Sequence, residues 1–228
     1  EPEDNEIYFL FHVPAAFEGL LAFTAECTGS YTVEYGTTES GAFVPDGSVT
    51  VASGTAYEGR FAGTEGHSPT QDGMVQLVFR VSGQSLTSWS TAPHSLAEEH
   101  SNWDIVDFVC RMPGGTKVQM GNYDSILALS SLRYFAWFGT NLLQDMTDMF
   151  SYCTSLLSVR ALDTTSVTDM TGTFYNCSTL RAIPAMDTSN VTSLRDAFSG
   201  CSAVTALPAM DFSQVENMTA AFENCFSL

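Results

Sequence analysis

The chain of 228 residues carries 26 Asp and Glu against 8 Lys and Arg, a formal net charge of -18. Such acidity argues against a nucleic-acid or anionic-membrane partner, which would be held through lysine and arginine, and a hydrophobic content of 44% excludes wholesale disorder. No apolar run approaches the roughly 20 residues needed to span a bilayer, so the chain reads as not membrane-spanning, with room for one large domain or two.

Glu1 to Glu6 form an acidic lead-in, read either as the start of a chain trimmed after export or as an artificial boundary. Short runs with strand character come next at Ile7–Val13, Leu20–Cys27, Ser30–Tyr35, Ser48–Ala52 and Met74–Val81. Turn clusters separate them, among them Gly36–Gly41 and Pro45-Asp46-Gly47. Alternation in Tyr31-Thr32-Val33-Glu34-Tyr35 and in Val75-Gln76-Leu77-Val78-Phe79 suits half-buried antiparallel strands, and their number and spacing predict a β-sandwich over 1–92. Ser30-Tyr31-Thr32-Val33-Glu34-Tyr35-Gly36, with Ala56-Tyr57-Glu58-Gly59-Arg60-Phe61 after it, resembles the Trp-Gly-Asp-Gly stretch and following Tyr-rich strand of PKD-type immunoglobulin-like domains. Here Glu34-Tyr35 replaces Asp-Trp and the Gly-Asp-Gly turn is lost. The resemblance implies a spacer or binding module of an extracellular or carbohydrate-handling protein.

Residues 93–124 are expected to be a linker and the N-terminal cap of a repeat domain. His94-Ser95-Leu96-Ala97-Glu98-Glu99-His100 lacks the spacing that puts two histidines one helical turn apart for zinc, and reads as a polar linker. Trp103–Cys110 has apolar residues at helical spacing and predicts a short helix sealing the first coil of the repeats.

The C-terminal half repeats. Cys153, Cys177, Cys201 and Cys225 recur every 24 residues. Phe150, Phe174, Phe198 and Phe222 precede them by three positions, and Leu156, Leu180, Val204 and Leu228 lie three positions after them. Val159, Ile183 and Leu207, then Asp163, Asp187 and Asp211, then Val167, Val191 and Val215 keep the same register. A degenerate earlier unit places Ile126, Leu129, Leu132, Phe135, Phe138, Leu143 and Met146 in the same columns, as a terminal coil packed against something other than a copy of itself should. The period is too short for a helix pair and predicts a solenoid over 125–228, with one short strand per coil at Leu157–Leu162, Arg181–Met186 and Thr205–Met210.

Phe174-Tyr175-Asn176-Cys177-Ser178-Thr179-Leu180 followed by Asp187-Thr188-Ser189-Asn190-Val191-Thr192-Ser193-Leu194 resembles the BspA-like leucine-rich repeats of bacterial surface proteins, found also in protist surface and phage-encoded proteins. The resemblance covers Met149–Leu228 and extends toward 125. It implies a leucine-rich-repeat solenoid used for adhesion and partner binding, without a shared catalytic centre.

Within a ladder of coils the four repeating cysteines read as buried thiols, since their Cβ vectors would run parallel and do not converge on a metal. Cys27 and Cys110 are not pairable by inspection. Asp163, Asp187 and Asp211 read as closing Asx turns onto backbone donors; a calcium ion favours crowded oxygens, but no Asp-x-Asp-x-Asp loop supports one. The outward positions Ser158, Arg160, Ala182, Pro184, Ala206 and Pro208 make a small, smooth strand face on which a protein or glycan would dock. Asn176, Asn190 and Asn217 fit the glycosylation acceptor pattern as by-products of an Asn-, Ser- and Thr-rich repeat. The last coil ends on a bare apolar rung, so either the natural chain continues with more repeats or a neighbouring subunit covers that end, and end-to-end self-assembly is a reading to carry.

His12, His67, His94 and His100 all lie outside the repeats, and no nucleotide-binding or hydrolase fingerprint occurs. No cofactor, metal or catalytic residue is expected. The expectation is a mainly β, non-enzymatic protein exposed on a cell or virion that binds a protein or glycan. A structural subunit of a virion fibre or surface filament is the alternative, and a carbohydrate-active enzyme or its accessory domain the second alternative.

Overall fold

The computed structural model describes residues 1–14, 18–39, 42–62, 74–91, 105–121, 129–160 and 162–228. Among them the chain is mainly β and holds no helix. The strands are β1 (Glu6–Pro14), β2 (Glu18–Glu26), β3 (Ser30–Glu39), β4 (Ala42–Ala52), β5 (Ala56–Ala62), β6 (Met74–Gly83), β7 (Ser88–Thr91), β8 (Ile105–Arg111), β9 (Lys117–Gln119), β10 (Tyr134–Trp137) and β11 (Ser158–Arg160). They form two mixed sheets, one of seven strands in the order β11-β10-β8-β1-β6-β3-β4 and one of four in the order β5-β2-β7-β9. The larger sheet therefore draws strands from all three stretches that the sequence separates into sandwich, cap and solenoid. His67, His94, His100, Ile126 and much of the expected linker lie outside the described residues.

Alternation sets the faces. Tyr31 and Val33 are buried while Thr32 and Glu34 turn outward, as period-two patterning on a half-buried strand requires. One cross-strand row runs the width of the larger sheet: Val159, Phe135, Phe108, Phe9, Phe79, Tyr35 and Gly47 stand side by side. At its edge the Tyr35 ring fills the space that a side chain on Gly47 would need. The two sheets meet through aromatic rings: Phe9 touches Phe23 edge-on at 5.6 Å, and Trp89 packs on Phe108 at 4.9 Å. The buried residues form one cluster from Ile7 to Ala221.

Three expectations are corrected. Trp103–Cys110 is not a helix: its described part is strand β8, paired with β1 on one side and β10 on the other. The register slips between Leu10 and Phe11, so Leu10 faces Asp107 while Phe11 faces Ile105. Val106 is the extra residue of a bulge, which turns both Ile105 and Phe108 inward and imitates helical spacing. Second, Pro45-Asp46-Gly47 is no turn but lies within β4, where Tyr35 faces Gly47 and Gly36 faces Pro45, leaving Asp46 as the bulged residue. β4 is an edge strand, where a proline removes no ladder hydrogen bond. Third, Arg181–Met186 and Thr205–Met210 are not strands; of the repeat strands only Ser158–Arg160 forms. Pro184 and Pro208 occupy the column of Arg160 and lack the N–H that a ladder needs.

The coils are joined elsewhere. The N–H groups of Met146, Asp148, Phe150 and Tyr152 donate to the carbonyls of Asp169, Thr171, Thr173 and Tyr175 at 2.7–2.9 Å. Met170, Gly172, Phe174 and Asn176 do the same to Ser193, Arg195, Ala197 and Ser199, and Leu194, Asp196, Phe198 and Gly200 to Asn217, Thr219, Ala221 and Glu223. Intervening residues donate locally, as Thr173 does to Met170 and Cys177 to Phe174. Every second N–H therefore points along the stack toward the C-terminal coil. This needs left-handed backbone at two columns, filled by Asp148, Gly172, Asp196 and Ala220, and by Tyr152, Asn176, Gly200 and Asn224.

Candidate functional site

The repeat columns decide which residues are left for recognition. Cys177, Cys201 and Cys225 each donate their thiol to the carbonyl of Phe150, Phe174 and Phe198 in the preceding coil, at 3.1 Å. Cys153 reaches the carbonyl of Met120 at 3.6 Å. All six cysteines are free. Burial pushes the Cys201 thiol up to about 12 and raises those of Cys110, Cys153 and Cys177 as well, so these sulfurs are protonated and unreactive. The rings of Phe150, Phe174, Phe198 and Phe222 stack at 5.2, 5.7 and 5.4 Å.

Asp163, Asp187 and Asp211 accept the N–H of the residue two positions on, at 3.1, 2.9 and 2.8 Å. The Ser189 hydroxyl and then its N–H hold Asp187 below the usual carboxylate range, and the Ser213 N–H and hydroxyl do so for Asp211. A second such column escaped the sequence reading: Asp145, Asp169 and Asn217 accept from Thr147, Thr171 and Thr219 at 2.7–3.0 Å. Its signal was the same 24-residue spacing. Threonines staple coil to coil: the Thr188 hydroxyl donates to the Asp211 carbonyl at 2.9 Å and accepts the Asp211 N–H at 2.7 Å. Among the described residues no three His, Cys, Asp or Glu side chains gather to hold a metal ion.

These columns serve the stack itself, which leaves the outward face of the seven-stranded sheet. Ser158 and Pro184 are partly exposed, Arg160 and Ala182 exposed, Ala206 exposed and Pro208 partly exposed. Ser158 and Arg160 are not an isolated face. Arg160 stands beside Ala136, then Val109, Tyr8, Arg80 and Glu34; Ser158 stands beside Tyr134 and Asp107. The strand face of the coils thus runs on across the larger sheet.

On that face a groove of about 490 Å³ is lined by Glu1, Pro2, Tyr8, Phe43, Val78, Val109 and Phe138. Tyr8 and Phe43 meet edge-on at 6.1 Å. The Arg80 guanidinium lies 5.2 Å above the Phe43 ring and donates from Nε to Glu34 Oε2 at 2.6 Å, with Glu6 at 3.9 Å. Burial raises the pKa of Tyr8, with Arg80 lowering it and Glu6 raising it. Burial opposes the Arg80 charge, but the neighbouring Tyr8 and Glu34 outweigh that and raise its pKa. Nearby, burial lifts the Asp107 carboxyl against the lowering effect of Arg133. Tyr8, Phe43 and Arg80 were not singled out from the sequence, and Phe138 was read only as a repeat-column residue; it sits in the column of buried Met186 but lines the groove instead.

Stacked 24-residue coils growing from the edge of a β-sheet define a β-rich repeat protein. Residues 137–228 are similar to a family described as Mycoplasma protein of unknown function, DUF285. No curated protein and no solved structure matches the chain.

Proposed function

We propose that the chain is a non-enzymatic binding module of an extracellular surface, in which a BspA-like leucine-rich-repeat solenoid is built onto an immunoglobulin-like sandwich. On this reading it recognises a protein or glycan partner through the outward strand face. The observation that carries it is the unbroken outward row Arg160, Ala136, Val109, Tyr8, Arg80 and Glu34. It gives one continuous surface of the kind on which repeat proteins bind, whereas the Asp and Thr columns of the repeats are already engaged in turns and staples. The high negative charge keeps separate copies soluble and apart.

The test is capture on arrays of glycans and of extracellular proteins probed with the labelled chain. Capture of one class, reduced in Arg160→Glu, is expected. A chain inert on both arrays removes the reading, and turnover of a polysaccharide would favour the enzyme alternative.

A second reading, assembly of copies into a fibre, draws on the last coil. Among the described residues the N–H groups of Met218, Ala220, Phe222 and Asn224 meet no acceptor, and Phe212, Met218, Phe226 and Leu228 are exposed. At the other end of the described repeats the Met149 carbonyl is already taken by the N–H groups of Met120 and Gly121. The binding module, carried by the outward row, is the reading we favour.

A further inference from the structure

We propose that the groove lined by Tyr8, Phe43, Val78, Val109 and Phe138 is a binding site for a neutral glycan. The inference rests on the reading of the chain as a binding module and names the site and ligand class for it. The groove's volume, about 490 Å³, falls among small-molecule sites, roughly 300–1,000 Å³. Four of its walls, Tyr8, Phe43, Val78 and Val109, stand on the paired strands β1, β4, β6 and β8, whose spacing strand pairing fixes; Phe138, just past β10, and the leading Glu1-Pro2 complete it.

The chemistry at the mouth selects the class. Phe43 and Phe138 present aromatic walls, which suit the C–H face of a sugar ring. Beside them Arg80 is joined to Glu34 and Glu6 and the phenol of Tyr8 lines the groove, which gives donors and acceptors together, and a sugar hydroxyl both donates and accepts. A cationic ligand is disfavoured because the Phe43 ring already carries the Arg80 guanidinium, 5.2 Å from its centroid, which takes up the attraction of that ring for positive charge. An anionic ligand is disfavoured because Arg80 is held by Glu34 and the chain as a whole carries -18. A purely apolar ligand would strip water from this polar set without replacing its hydrogen bonds.

Calorimetric titration of the whole chain with cellotetraose, maltotetraose, chitotetraose and mannotetraose tests this, with tetragalacturonate and choline as charged controls. At least one neutral tetrasaccharide is expected to bind. Phe43→Ala and Phe138→Ala should each weaken it by about tenfold or more, and Tyr8→Phe, which keeps the ring, should weaken it less. All three positions are partly exposed, and an unchanged melting temperature confirms that each variant is folded. Absence of binding by every neutral sugar, tighter binding of either charged control, or unchanged affinity in both phenylalanine variants overturns the proposal. If array capture is lost in Arg160→Glu but untouched by the groove variants, the groove falls and the binding module stands. If neither the sugars nor the arrays respond, both fall.

Discussion

The ring of Phe135 meets the ring of Phe150 edge-on, with centroids 4.9 Å apart and planes at 75°. This contact joins two aromatic rows of different origin. Phe79, Phe9, Phe108 and Phe135 lie parallel across the sheet, 5.0, 6.2 and 5.6 Å apart, because strand pairing places them side by side. Phe150, Phe174, Phe198 and Phe222 lie parallel along the stack because the repeat brings each back after 24 residues. At Phe135 the core turns the corner from sheet to coils.

Phe135→Ala should therefore destabilise the whole chain. A fully buried phenylalanine truncated to alanine costs about 3–5 kcal/mol. Because the buried cluster is continuous from Ile7 to Ala221, wild type should unfold in one transition by both tyrosine/tryptophan fluorescence and circular dichroism. Two resolved transitions in wild type, or a variant as stable as the parent, would count against a shared core.

How far each feature was legible in the sequence depends on how local it is. The repeat could be read because every coil packs on a copy of itself, so Phe174 and Cys177 recur in register with Phe150 and Cys153. β3 and β6 could be read from alternation, and β1 and β2 from short runs of strand character. The helix expected at Trp103–Cys110 was wrong because the bulge at Val106 breaks the strand parity, and a bulge depends on the partner strand. The missing strands of the later coils are explained by Pro184 and Pro208, whose effect the apolar pattern conceals. The groove was not legible at all: Tyr8, Phe43, Val78, Val109 and Phe138 come together only through the order β10-β8-β1-β6-β3-β4.

The thiols give a second test. Cys110, Cys153, Cys177 and Cys201 are buried, whereas Cys27 and Cys225 are partly exposed. A thiol reagent at pH 8 should label at most Cys27 and Cys225 in the native protein and all six in denaturant. Rapid native labelling of Cys177, read by peptide mass spectrometry, would contradict the stacked arrangement.

Asp148 and Asp187 should respond to pH in opposite ways. Burial, then the neighbouring Asp145, Asp196 and Asp169, raises the Asp148 carboxyl above its ordinary 3.8. The folded state thus holds that proton more tightly than the unfolded state. Its contribution is most favourable below 3.8 and is lost as pH rises through the raised value. Asp148→Asn, which tolerates the left-handed backbone at this position, should be more stable than wild type at pH 7, with the advantage fading as pH falls into that window. Asp187 is held below 3.8 by Ser189, so its stabilisation is present at neutral pH and lost only as pH falls through the lowered value. Asp187→Ala should be less stable than wild type at pH 7. Urea melts across pH 3–7 decide both, and the same trend for the two variants would refute the assignment.

Thr188→Val tests the staples between coils. It keeps the shape but removes the hydroxyl that donates to the Asp211 carbonyl and accepts the Asp211 N–H. Thr188 is only 2% exposed, so the lost pairings should cost about 1–3 kcal/mol. A variant with unchanged stability would show that the staples add nothing beyond packing.

The last coil offers the most direct test of how the stack is held. Its free donors at Met218, Ala220, Phe222 and Asn224 are spaced as in the coils before it, and Met218 and Phe212 are 42% and 39% exposed. A copy of residues 181–204 joined after Leu228 continues the register. The carbonyls of its Ser193, Arg195, Ala197 and Ser199 equivalents then fall where those donors point, as they do for Met170, Gly172, Phe174 and Asn176. The exposed side chains become buried in the same step, each favourable by about 1.5–3 kcal/mol when fully covered. The extended chain should melt higher, and the four amides, fast in hydrogen exchange before, should become protected. A scrambled insert of the same composition should do neither. Protection that fails to appear while melting rises would mean that added apolar cover, and not the directed row of N–H groups, holds one coil on the next.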